Sequence, residues 1–397
     1  MKTQFIEIST YEAAPPRLRR IPVTQRVPIA QRVVTDLFAA ANIELNGWRP
    51  WDIRVKDSRF YARVLAHGTM GMGEAYMDGW WECDALDEMS YRAIRARMTQ
   101  RVPLDWTTIR ATVASLFLNL QTCTRARLVG RWHYDLGNDF FEAMLGPTMQ
   151  YSCGYFHHTD NLDEAQRKKM DLICRKLDLR RGMRLLDIGC GWGGLARYAA
   201  ENYGCSVVGV TISREQQAYA DLHCHGLPVE IRLQDYREVD EKFDRIVSVG
   251  MLEHVGAKNY RNYMAVARRC LADGAFFLCH SIGDNVSALQ QDPWITRYIF
   301  PNSQLPSLAQ ITHAAEGLFV VEDVHSFGAC YDRTLLAWAR NFETAWPRFE
   351  ARYGERFHRM WRYYLQCCAG AFRARQIQLF QCLLSTGCVV GGYVTPR

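Results

Sequence analysis

From about residue 160 onward, short apolar runs and helical segments take turns along the chain. MRLLDIG reads as a strand and is followed by the helix GLARYAAENYG; CSVVGVTI comes next, with a helix opening at SREQ. There Ser213 and Gln216 have the spacing of a capping box. VEIRLQDY and FDRIVSVGM read as strands three and four, YRNYMAVARRCLADG as a helix, GAFFLCHSI as strand five and LFVVEDVHSF as strand six. Such alternation predicts an α/β fold with a parallel, doubly wound sheet. Inserted late are the stretch DNVSALQQDPWITRYIFPNSQLP and two long aromatic-rich helices between 331 and 385.

Upstream the rhythm differs. Residues 1–30 contain PPRLRRIPVTQRVP and predict an extended arm. VVTDLFAAANIEL, GEAYMDGWWECD, ALDEMSYRAIRARM and TTIRATVASLFLNLQ carry apolar residues three and four apart, the helical period, and WDIRV could be a short strand. A small, mainly helical domain over 1–125 and a larger α/β domain over 126–397 follow, and 397 residues suffice for both.

The net charge of +6 is unevenly placed: residues 1–131 hold 19 Lys+Arg against 13 Asp+Glu, and the rest holds 29 of each sign. A basic first third suits an anionic surface, membrane or nucleic acid, and equally a solvated charged face. The start MKTQFIEIST lacks the apolar core of a secretory signal, and no CxxC pair occurs among the 14 cysteines, Cys367 and Cys368 being vicinal. A reduced, cytoplasmic protein is the expectation. His223-Cys224-His225 has ligand residue types without a second cluster at zinc spacing, so no metal is expected. With no apolar run of roughly 20 residues, any membrane contact would be peripheral.

The loop LLDIGCGWGG formally matches a dinucleotide fingerprint through Gly189, Gly191 and Gly194. A nicotinamide site would place an acid at the end of the second strand, but that strand ends Val210-Thr211-Ile212. No Gly-Lys-Ser/Thr follows, which excludes a phosphate-binding P-loop. Asp187 instead enters the loop directly, where a carboxylate repels pyrophosphate and suits an amino group or sulfonium. These features turn the reading toward S-adenosylmethionine, although short glycine motifs alone leave other nucleotides open.

HYDLGNDFFEAMLGPTMQYSCGYF, LLDIGCGWGG, VVGVTIS, DRIVSVGMLEHVG and QCCAGAFRARQIQL, in this order, resemble the cyclopropane-fatty-acyl-phospholipid synthase family over about 45–390. The resemblance implies a class I S-adenosylmethionine-dependent methyltransferase, Rossmann-like, behind a helical first domain. It implies that the donor methyl is added to a cis double bond of a lipid acyl chain, leaving a carbocation that closes to a cyclopropane on losing a proton. Such chemistry needs an aligned sulfonium, exclusion of water and a base.

In this family the base is implied to be a bound bicarbonate. The matching positions are Cys153, Glu253, His280, Ile282 through its backbone, and Tyr331. Groups of these types can hold a small oxyanion by hydrogen bonds, with Glu253 protonated or sharing a proton to avoid repulsion. Each has a plainer reading: Cys153 as a small buried hydrophobe, Glu253 as a helix cap, His280 as a core histidine, Tyr331 as packing. His254 reads as structural. Cys368, in CAGAFRARQ, is a further candidate thiol, but no paired base activates it and the chemistry needs no covalent nucleophile.

For the donor, the resemblance and the sheet position together point to Tyr151 and Ser152 ahead of the sheet. They also point to Asp187, Gly189, Gly191 and Gly193 in the glycine loop, Thr211 and Gln216 near the ribose, and Asp235 and Tyr236 near the adenine. Trp294, Tyr298, Phe300, Trp338 and Trp346 are candidates for the acyl pocket, where aromatic faces could meet a cation. The implied partner is an unsaturated phospholipid in a bilayer, reached by peripheral contact at the inner face of the membrane; a homodimer is compatible. A methyl-branched or methylene product is the nearest rival, and a lipid- or nucleotide-binding protein without turnover is another. Nucleic acid is not expected as substrate, since no NPPY-type motif occurs.

Overall fold

The computed structural model describes residues 28–98, 136–287, 291–387, 389 and 391–397. Of the arm expected over 1–30, residues 1–27 lie outside the described residues, as do the expected helix over 107–121 and the His133 end of the first family motif, and Ile29 already begins a helix. The first unit holds α1 (Ile29–Ala39), β1 (Arg54–Val55), α2 (Arg59–Met77), β2 (Trp81–Glu82) and α3 (Leu86–Arg95). GEAYMDGWWECD is therefore helix only as far as Met77. Gly79, at φ 74°, ends the turn, and Trp81–Glu82 pairs antiparallel with β1, the remnant of the expected WDIRV strand.

Next come α4 (Asn138–Leu145), α5 (Leu162–Lys176), β3 (Arg184–Ile188), α6 (Gly194–Tyr203), β4 (Ser206–Thr211), α7 (Arg214–His223) and β5 (Val229–Leu233). They are followed by β6 (Phe243–Val249), α8 (Leu252–Val255), α9 (Tyr260–Cys270), β7 (Leu271–Asp284), α10 (Pro293–Tyr298) and α11 (Leu308–Ala315). The chain closes with β8 (Val320–Ser326), α12 (Ala329–Ala345), α13 (Glu350–Arg373) and β9 (Ile377–Ser385).

The seven-stranded sheet has the order β5-β4-β3-β6-β7-β9-β8. β5, β4, β3, β6 and β7 run parallel, whereas β9 is antiparallel to both β7 and β8. The mostly parallel doubly wound sheet is thus as the alternation implied. Two segments differ: 271–274, expected to close the helix after strand four, opens β7, and 377–385, expected within a helix, is strand β9. Arg375 takes a left-handed φ of 59° just after α13, and Ile377–Ser385 then pair with β7 from Asp284 back to Phe276. An apolar run such as IQLFQCLLS fits either period, and here the open edge of β7 decides.

Strands β3 and β4 are buried on both faces, which is why Leu, Ile and Val dominate their interiors, interrupted by Asp187 in β3 and Gly209 in β4. Two apolar clusters fill the two sides of the sheet. A third is shared: Val34, Phe60, Tyr76, Trp81 and Leu86 of the first unit pack in one cluster with Trp338, Trp361, Tyr363 and Phe372 of α12 and α13. Phe140 sits inside this cluster, with six aromatic neighbours between 5.2 and 5.9 Å. Among the described residues no helix is long and apolar enough to cross a membrane.

Candidate active site

The order of elements reverses between β3 and β6, and a cavity of about 210 Å³ opens there at the carboxyl ends of the strands. Its walls include Tyr151, Ser152, Asp187, Gly189, Gly191, Thr211, Gln216, Asp235 and Tyr236, nine of the ten expected donor contacts. Gly191 holds φ 56° with nothing within 4 Å of where a Cβ would stand, so backbone is bared to the cavity. Gly193 is the exception. It caps α6 at φ 77°, and a Cβ there would lie 2.9 Å from the Ala220 methyl, so this glycine serves helix packing.

Thr211 donates to the Gln216 side-chain oxygen at 2.8 Å, both side chains buried at the cavity wall. Ser213 does accept from the Gln216 N–H at 3.3 Å, but the Gln216 side chain is turned to Thr211, leaving half of the expected capping box. The reciprocal box forms instead between Ser307 and Gln310. Asp235 accepts from the Arg237 backbone N–H and guanidinium at 2.6 to 3.0 Å, which fixes its carboxylate beside Tyr236.

Burial pushes the Asp187 carboxyl up to about 7, partly offset by the nearby Lys169 ammonium. A cation arriving in the cavity would favour its ionised form. Tyr151 faces the cavity from within an aromatic collar: Phe141 at 5.6 Å, Phe300 at 6.4 Å and Trp338 at 5.3 Å, with its hydroxyl 3.0 Å from that of Tyr364.

The candidate base residues gather next to this cavity rather than on its wall. β6 ends at Val249, beside His280 in β7, and the Gly250 N–H donates to the His280 carbonyl at 2.8 Å. Glu253 follows in α8, and its Oε1 accepts the Ile282 N–H at 2.6 Å. The cap reading is therefore set aside, since the Glu253 carboxyl is tied to a neighbouring strand. Oε2 is buried without a hydrogen-bond partner among the described residues. Burial raises the Glu253 carboxyl to about 7.

His280 and Ile282 share one face of β7. Burial holds the His280 imidazole well below its ordinary value, so it is neutral. Gln381 lies opposite in β9, with its amide nitrogen 3.2 Å from Nδ1, while Nε2 is buried and unpartnered among the described residues. With that amide donating to Nδ1, the ring proton rides on Nε2. Tyr331, at the start of α12, stacks on Phe372 at 4.4 Å. Its phenol is pushed well up by burial, then by Cys153, Glu253, Tyr151 and Cys368 around it. Cys153 is likewise held as a thiol by burial, with Thr334 3.9 Å from its sulfur. Glu253 and His280 thus each leave one buried polar atom unpartnered among the described residues, while the Cys153 thiol donates to the Gly154 carbonyl at 3.3 Å.

Cys368, on α13, is pushed up to about 12 by burial and by Asp292, which opposes a thiolate nucleophile. Of the five aromatic candidates, Phe300 and Trp338 reach Tyr151. Trp294 packs on Tyr298 and Tyr363 and Trp346 stacks on His358, both tryptophans buried, while the half-buried Tyr298 donates to Glu74 of α2. His254, read as structural, lines the cavity and is kept neutral by burial, its value lowered to about 4. Gln150, Trp192, Met251 and Asn302 also line it without a signal singling them out, except that Trp192 sits inside the glycine loop.

Sheet, glycine turn and cavity together define a class I S-adenosylmethionine-dependent methyltransferase. The chain belongs to the mycolic acid cyclopropane synthetase family, whose model matches residues 121–382. It is 55% identical over 357 residues to the cyclopropane-fatty-acyl-phospholipid synthase of Escherichia coli K12, covering 90% of this chain and 93% of that one. The cyclopropane synthase MmaA2 of Mycobacterium tuberculosis superposes with a TM-score of 0.62 at 32% identity, over 65% of this chain and 97% of the other. The mycolic acid cyclopropane synthase CmaA1, solved with SAH and CTAB, gives a TM-score of 0.62 at 33% identity, over 65% of this chain and 97% of its own.

Proposed function

We propose that this chain is a cyclopropane-fatty-acyl-phospholipid synthase, acting on a cis double bond in a phospholipid acyl chain and closing the ring with the help of bicarbonate. The reading rests above all on the two buried, unpartnered atoms Glu253 Oε2 and His280 Nε2, beside a donor cavity in a chain of this family. Asp187, Gly189 and Gly191 present carboxylate and bare backbone to the methionine part of the donor, with Thr211, Gln216, Asp235 and Tyr236 toward its nucleoside. Tyr151 and Phe300, which line the cavity, offer aromatic faces to a cation, each worth on the order of 1–2 kcal/mol when desolvated, and the buried Trp338 backs Tyr151.

Bicarbonate, when bound, supplies the base that accepts the ring-closing proton. Glu253 in its acid form, His280 through Nε2–H and the protonated Tyr331 would donate toward it, and the Cys153 thiol, which now donates to the Gly154 carbonyl at 3.3 Å, would turn to join them. The Ile282 N–H, now given to Glu253, is the further donor within the same strand. The basic residues of the first third support peripheral contact with anionic headgroups at the inner face of a membrane in a cytoplasmic enzyme, and a homodimer fits the same reading.

Purified protein incubated with S-adenosylmethionine and vesicles of unsaturated phospholipid should add one methylene per reacted chain by mass spectrometry, with ring protons by NMR. Vinylic or methyl-branch signals in place of ring signals would establish the rival product.

The acidity of Glu253 gives a second test. Its folded value, about 7, exceeds the ordinary 4.5, so the native state binds the extra proton between these limits. Stability from this group is complete below 4.5 and is lost as pH rises through about 7. Turnover should fall over the same rise, because the carboxylate repels an adjacent anion. Asp187 and Lys169 titrate nearby, so profiles should be taken at saturating donor. Glu253→Gln stays neutral at every pH, and its kcat profile should lack the fall near pH 7; an unchanged limb would assign it elsewhere.

A further inference from the structure

Helix α5 carries two side chains on its buried face that the donor site does not touch but leans upon. Lys169 is fully buried, and its ammonium donates to Gln150 Oε1 at 2.6 Å and to Ser152 Oγ at 2.8 Å. One turn earlier, the fully buried Gln166 donates to the Ser152 carbonyl at 2.8 Å and to the Gln150 carbonyl at 3.4 Å. The two residues so held flank Tyr151, and all three line the donor cavity. On the far side Gln150 is wedged against the start of α6, where a Cβ on Gly194 would come within 2.6 Å of its side-chain nitrogen. Among the described residues no carboxylate lies within ion-pair distance of Lys169; Asp187 acts on it only through space.

A buried ammonium without an ion-pair partner is costly, and a methionine of similar length would pack there without that cost. We propose that Lys169 is a positioning residue for the methyl donor, clamping the Gln150–Ser152 segment so that Tyr151 and Ser152 meet the donor in register with the glycine turn. Lys169 does not line the cavity, so its contacts reach the donor through the loop, beside the through-space pull of its charge on Asp187. The same helix supplies an internal control. Lys176 is also fully buried, but it pairs with Asp323 at 3.0 Å, away from the cavity.

Lys169→Met should weaken S-adenosylmethionine binding, measured by calorimetry, by about tenfold or more, as for the loss of charge-assisted hydrogen bonds. Turnover at saturating donor should fall less than affinity does. Lys176→Met should lower the melting temperature and leave the donor Kd at the parental value. Should Lys169→Met not fold, Lys169→Gln, a shorter neutral donor, gives the same reading. A Kd within about twofold of the parent in whichever Lys169 variant folds, or an equal loss in Lys176→Met, overturns the assignment.

Discussion

Glu253→Ala should abolish cyclopropane formation, with turnover down by roughly 10²- to 10⁴-fold, the range lost with a positioned acid or base. Donor affinity should be unchanged, because Glu253 stands behind the donor cavity and not on its wall. The change removes the acceptor of the Ile282 N–H, held at 2.6 Å in a buried setting. An unsatisfied buried donor costs about 1–3 kcal/mol, so a modest drop in melting temperature should accompany the loss. Product counted by mass spectrometry and donor Kd by calorimetry separate the two effects. A parallel collapse of donor binding would refute the role given to this carboxyl.

The second large effect is expected at Gly194, the first residue of α6. A Cβ there would stand 2.3 Å from the Thr148 carbonyl oxygen, a backbone atom that cannot move alone. Gly194→Ala must therefore displace the segment leading to Tyr151 and Ser152, with about 1–3 kcal/mol of overpacking. Because that segment lines the cavity, donor Kd should rise about 10- to 100-fold, about 1.4 kcal/mol for each factor of ten. Equilibrium titration with S-adenosylmethionine checks this; parental affinity would mean the loop tolerates the shift.

How far these sites can be read from residues alone varies with the physics behind each. β3 and β4 are legible because burial on both faces demands near-continuous apolar runs. β9 is not, since its run suits a helix equally and only the edge of β7 selects the strand. Gly191 and Gly193 look alike in the sequence and share positive φ, yet one opens to the cavity and the other abuts Ala220. Local spacing cannot tell these apart. Glu253, His280, Tyr331 and Cys153 came from the family resemblance, because single polar residues at strand ends admit plain structural readings. Lys169 did leave a trace: in LDEAQRKKMDLICRK it falls with Ala165, Leu172 and Lys176 on the buried stripe, while its neighbour Lys168 faces outward.

The shared aromatic cluster couples the two halves of the reaction mechanically, since Tyr151 and Trp192 of the cavity wall pack in it together with Tyr331. The donor cavity is built by the sheet and its flanking turns, whereas Tyr331 rides on α12 and its partner Phe372 on α13. α13 is braced from outside: Arg359 donates to the carbonyls of Tyr76 and Trp81, and Arg373 joins Asp87 to Asp332. Damage to the helices over 29–95 therefore reaches both the donor contact Tyr151, which packs against Trp338 and Tyr364, and the place where the alkene must wait beside Tyr331. Such defects would present as catalytic lesions although they arise in a scaffold far from any reacting atom.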